Sequence, residues 1–175
     1  VTWISSRIGK RKTFIIAISI MLFGSILKWF CYDPMTTWLV ILPAPFIAVG
    51  MGALFTLMGS MVADVCDLDE LETGERREGM FGAIYWWMVK LGMALAFGAS
   101  GFLLNATGFV VDFGGAQTSS TFFWMRVVDV GIPAAGCIIA IFSVASFKIT
   151  EEKSYEIRSE LEKRRSKTII SEKVS

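Results

Sequence analysis

A chain of 175 residues that is 54% hydrophobic and only 19% charged is too apolar for an ordinary soluble domain. Seventeen basic residues against sixteen acidic ones leave a net charge of +1, without the broad positive field that a nucleic-acid binder carries. The lack of His, and three scattered cysteines (Cys31, Cys66, Cys137), argue against a His- or Cys-based metal site, His-based catalysis and a disulfide framework.

Residues 1–12 read as the end of a preceding hydrophobic span and a basic loop in which Arg7, Lys10, Arg11 and Lys12 surround Gly9. A first residue that is Val predicts the C-terminal piece of a longer chain, whose N-terminal half is its partner. Residues 13–147 predict four spans, at 13–31, 38–63, 79–105 and 122–147, and about 20 apolar residues suffice to cross a bilayer core. Lys28 and Trp29 near the end of the first suit a membrane interface. Pro43 and Pro45 should bend or break the start of the second. Its later part is rich in small residues (Gly50, Gly52, Ala53, Gly59, Ser60, Ala63), which let membrane helices approach closely.

Residues 64–78, DVCDLDELETGERRE, read as a charged loop, and 105–121 as a Gly-rich loop without Lys or Arg. In the fourth span Arg126 and Asp129 stand at i, i+3 and are expected to pair, while Pro133 should introduce a kink. Residues 148–175 form a polar tail. Thr150 can cap a helix there, with Tyr155, Ile157 and Leu161 as a thin apolar stripe. Lys163, Arg164, Arg165 and Lys167 either touch anionic headgroups or belong to a solvated tail.

Topology follows from charge. The basic loop, the charged loop and the tail hold fourteen of the seventeen Lys/Arg, and the other two loops hold none. Four spans put the three rich segments on one side, which the positive-inside rule makes cytoplasmic.

The third span, Gly79–Asn105, carries one charge, Lys90, near its middle. The nearer end lies roughly 16 Å away, farther than a lysine stem can snorkel. A charge at mid-bilayer costs at least about 2.5–3.5 kcal/mol and is by default a functional-site hypothesis. The alternative is a lysine that only ties helices together. Ala83, Trp86, Trp87, Met93, Ala94 and Phe97 share its face at 100° per residue. Aromatic rings there suit a sugar face or an acyl chain, and equally plain packing. In the charged loop Asp64 and Asp67 stand opposite Arg76 and Arg77, as a gate that makes and breaks or as solvated charges.

The run Ala63-Asp64-x-x-Asp67-x-x-Glu70-x-x-Thr73-Gly74-x-Arg76-x-Glu78-Gly79, followed by Val89-Lys90-x-Gly92, resembles the glycoside–pentoside–hexuronide:cation symporters (melibiose/sodium symporter-like) of the major facilitator superfamily. The loop Arg7-x-Gly9-Lys10-Arg11-Lys12 is similar to the basic loop of each superfamily half. The resemblance implies an all-α polytopic membrane protein. The chain would be the C-terminal part of a twelve-helix fold, with four full spans plus the end of a fifth.

It further implies that Lys90, Trp86, Tyr85, Val89 and Phe55 line a solute cavity. Asp64, Asp67 and Arg76, with Arg7 and Arg11 of the basic loop, would form a cytoplasmic gate. The activity implied is cation-coupled symport of a glycoside or related sugar by alternating access. No cofactor, metal or nucleic acid is expected. The coupling Na+ or H+ would be held by carboxylates of the N-terminal half, and the bilayer would be the inner membrane of a bacterium, its lipid contacting the chain. Two other readings stand beside this one: a lysolipid carrier of the same superfamily, and a four-span scaffold without transport. No nucleophile–base pair suggests an enzyme.

Overall fold

The computed structural model describes Ser5, residues 7–32, 37–146 and 151–174, with the backbone alone at 37, 151 and 167–174. Its elements are α1 (Lys10–Cys31), a 3-10 turn (Thr37–Ile41), α2 (Ala44–Thr73), α3 (Glu78–Ala106), a second 3-10 turn (Val111–Phe113), α4 (Ser119–Ala145) and α5 (Glu151–Val174). Among the described residues there is no strand. α1 to α4 are each long and apolar enough to cross a membrane. The protein is therefore an all-α polytopic membrane protein. The expected end of a preceding span, apart from Ser5, and the Thr150 cap lie outside the described residues.

Local chemistry explains the boundaries. Gly9, at φ 91, turns the chain into α1. The two prolines act at the start of the second span. The stretch from Thr37 to Ile41 winds as a separate 3-10 turn, and α2 begins at Ala44 with Pro43 as its N-cap. The Thr118 hydroxyl accepts the Thr121 amide at 3.3 Å and caps α4. α4 continues through Pro133 to Ala145 without a break.

One expectation needs correction. Most of the stretch 64–78 is not a loop. α2 runs on to Thr73, where Gly74 (φ 75) caps it and its amide bonds the Glu70 carbonyl. The acidic residues at 64, 67 and 70 recur at helical spacing, so they line one side of a helix rather than interrupt it. The polar tail forms a helix, α5, as its apolar stripe suggested. Its buried stripe is Ser154, Ile157 and Leu161; Tyr155 points outward and is 64% exposed. The side chain of Lys167 lies outside the described residues.

α1 sits between α2 and α4, and α5 lies along the far end of α2. The core is built from Phe14, Ala17 and Ile18 of α1, Ala53, Leu57 and Met61 of α2, and Cys137 and Val144 of α4. Glycines set the closeness of α1 and α2. A Cβ on Gly50 would stand 2.4 Å from the Met21 Cβ, and one on Gly24 would stand 2.8 Å from the Phe46 Cβ. α3 leans chiefly on α2, and none of its residues is buried.

Candidate functional site

Side-chain contacts separate the molecule into two ends. The start of α1, the end of α2, the end of α4 and the tail meet at one end. Lys10 reaches Asp64, and the Arg11 guanidinium donates to the Ala145 carbonyl. At the opposite end, the close of α1 meets the start of α4. Lys28 Nζ lies 2.6 Å from an Asp129 carboxylate oxygen, to which the Tyr32 hydroxyl also donates. Arg126 donates to the Tyr32 carbonyl and lies over the Trp29 and Tyr32 rings, 5.8 and 5.9 Å from their centroids. Arg126 and Asp129 thus do not pair with each other as their spacing suggested. Each instead fastens α4 to α1, and Lys28 pairs with Asp129.

The charged end is the most densely connected part of the chain. Asp64 is buried, and one carboxylate serves three donors: Lys10 Nζ at 2.7 and 2.8 Å, Ser154 Oγ at 2.9 Å and an Arg158 amino group at 2.9 Å. Arg158 also reaches Asp67 at 3.3 Å. Arg165 holds both oxygens of Glu70 at 2.7 and 2.9 Å, and Arg76 reaches the same carboxylate at 3.0 Å. Arg76 also pairs with Glu78. Arg77 bonds Asp69 through its Nε at 2.9 Å, and that carboxylate raises the guanidinium pKa above its ordinary value.

The expected gate residues are therefore close neighbours without forming one Asp–Arg set. Asp64 and Asp67 take cations from the basic loop and the tail. Arg76 takes Glu70 and Glu78, and Arg11 takes the end of α4. Arg7 is exposed. Lys10, Ser154, Arg158 and Arg165 were not foreseen in this cluster. The tail arginines, read as touching headgroups or lying in a solvated tail, face α2, Arg165 at Glu70 and Arg164 at the Leu71 carbonyl, 2.9 Å away.

The residues expected around the solute lie on α3 and α2. Tyr85 and Val89 are half-buried on the side of α3 that carries Phe81, while Trp86 and Lys90 stand exposed beside them. The Tyr85 and Trp86 rings meet edge to face, with centroids 5.3 Å apart. Phe55 is 48% exposed on the face of α2 turned away from the Ala53–Leu57–Met61 core. Among the described residues no carboxylate pairs with Lys90, and nothing closes a cavity over it. The arrangement offers a cation and aromatic edges on a membrane-length helix whose surface the chain itself leaves open.

Residues 1–151 match the family described as "MFS/sugar transport protein". The chain is 36% identical over 129 residues to an uncharacterized symporter of Synechocystis sp., covering 69% of this chain and 23% of that protein. It is 24% identical over 160 residues to a glucuronide carrier protein homolog of Escherichia coli, covering 91% and 34%. It is also 24% identical over 147 residues to an isoprimeverose transporter of Lactiplantibacillus pentosus, covering 84% and 30%. The chain thus spans between 23% and 34% of the length of these relatives. No solved structure matches it.

Proposed function

Because this chain belongs to the glycoside–pentoside–hexuronide:cation symporter family of the major facilitator superfamily, and so to the transporters, we propose that it forms the C-terminal part of a cation-coupled sugar symporter. The carrying observation is Lys90: a cation midway along a membrane-length helix with no buried residue in this chain. A charge at that depth needs a wet cavity or a counter-charge. In this reading the rest of a longer protein supplies one of them on this exposed face. The two relatives above whose names carry a cargo are a glucuronide carrier protein homolog and an isoprimeverose transporter, which favours a glycoside-like solute.

In this reading, Lys90, Trp86, Tyr85, Val89 and Phe55 line one wall of a midplane cavity. The rest of the full-length protein supplies the other wall and the ligands for Na+ or H+. The two walls rock about the solute to give alternating access. The charged end faces the cytoplasm of a bacterial cell in this reading; the distribution of Lys and Arg and the bacterial relatives support it. There Asp64, Asp67, Arg76, Arg7 and Arg11 belong to a gate whose ion pairs exchange during the cycle. The scaffold reading gives way, because these relatives are symporters, carriers or transporters by name.

The test uses the full-length protein in proteoliposomes with an imposed Na+ or H+ gradient. Lys90→Ala should abolish gradient-driven uptake of the solute while membrane insertion stays unchanged. Unimpaired uptake would remove Lys90 from the site. Competition by glucuronides and xylose-containing disaccharides, but not by lysolipids, should distinguish the sugar reading from the lysolipid one.

A further inference from the structure

Helix α5 is charged almost throughout, yet Ser154, Ile157 and Leu161 are buried, at one- and two-turn spacing. Their counterpart is the last three turns of α2. Three of the acids there meet a donor from the tail: Asp64 meets Ser154 and Arg158, Asp67 meets Arg158, and Glu70 meets Arg165. Arg164 adds a bond to the Leu71 carbonyl. Asp64 does more than hold the tail. The same carboxylate takes Lys10 at the start of α1, so docking of α5 is communicated to α1 as well as α2.

The composition of this contact sets its strength. Two aliphatic side chains, Ile157 and Leu161, are the buried apolar part. The two arginines that bridge the helices are about half exposed, Arg158 at 47% and Arg165 at 52%. Ion pairs of that exposure are weak one by one and are screened by salt, with a Debye length of about 10 Å at 0.1 M and about 3 Å at 1 M. A helix held this way can leave without unfolding the membrane spans, whose own core lies elsewhere, around Ile18 and Leu57.

We propose that α5 is a detachable latch. Docked, it fastens the charged end of α2 to that of α1 through Asp64. Released, it uncovers the Asp64 and Asp67 carboxylates and makes them available to other cations of the full-length protein. The latch is an ionic-strength-sensitive device of this chain. It goes beyond the transport reading and does not depend on which solute is carried.

The experiment is thiol labelling of the full-length protein in vesicles with a soluble maleimide. Leu161→Cys and, separately, Ile157→Cys are buried reporters, and Tyr155→Cys is the exposed control. Cys31, Cys66 and Cys137 of this chain are buried, and the full-length protein without added cysteines gives the background. The two buried reporters should label slowly at low salt. Their rate should rise about tenfold in 1 M NaCl, and by a similar factor when Arg158→Gln and Arg165→Gln are combined, because labelling follows the open population. Tyr155→Cys should label quickly throughout. Two results would overturn the latch. One is buried reporters that label as fast as Tyr155→Cys at low salt. The other is protection that survives loss of both arginines. Neither readout needs transport, so failure of the latch and failure of the sugar assignment are separable.

Discussion

Gly50→Ala is a sharp test of the packing, because one methyl group meets only rigid neighbours. Its Cβ would lie 2.4 Å from the Met21 Cβ, 2.9 Å from the Ala17 carbonyl oxygen and 3.2 Å from the Met21 Cα. Carbon atoms in contact prefer about 3.5–4.0 Å. No side-chain rotation relieves the clash, since all three atoms belong to the backbone or its first branch. α1 and α2 must part by roughly 1 Å, which loosens Phe14, Ala17 and Ile18 against Ala53 and Leu57. Overpacking of this kind costs about 1–3 kcal/mol, a fall of about 5- to 150-fold in the folded-to-unfolded ratio. Gly52→Ala, two residues on, meets nothing within 4 Å and should stay within about 0.5 kcal/mol. A thiol-reactive dye can follow thermal unfolding of the full-length protein, because Cys31, Cys66 and Cys137 are all buried in the native state. A Gly50→Ala protein that melts with wild type, or above Gly52→Ala, would refute the argument.

The same assay checks three further expectations. Asp129→Ala removes the partner of Lys28 and Tyr32; with Asp129 43% exposed, the loss should be about 1 kcal/mol or less, and smaller in high salt. Arg126→Ala loses the Tyr32 carbonyl and two ring contacts and should cost a further similar amount, measurable as a lower melting midpoint. Gly74→Val places a β-branched residue at φ 75 and should destabilise by about 1–2 kcal/mol, whereas Gly79→Ala, in open helical space, should not.

The spans were legible because hydropathy and the distribution of Lys and Arg are independent signals that agreed. Pro43 marked the start of α2 because its ring dictates local backbone geometry. The end of α2 was missed because charge density was read as loop. Asp64, Asp67 and Glu70 are compatible with a helix when cations lie across from them, and those cations come from position 10 and from positions 158 and 165. Such long-range partners leave no trace in a local window. Arg126 and Asp129 show the converse error: their i, i+3 spacing permits a pair, but Tyr32 and Lys28, nearly a hundred residues earlier, compete more effectively. The surroundings of Lys90 stay illegible for a different reason. Its neighbours in sequence are known, but among the described residues no carboxylate pairs with it.

One dimension of α2 carries a mechanical meaning. Its 30 unbroken residues rise about 45 Å, while the hydrocarbon layer is about 30 Å thick. Roughly the last ten residues therefore project past the oil as a stiff mast, and this mast bears Asp64, Asp67 and Glu70. A tilt of about 10° about the bilayer midplane would sweep its tip sideways by roughly 5 Å. That is more than the reach of an ion pair, so a modest lean inside the lipid becomes a wholesale change of electrical partners outside it.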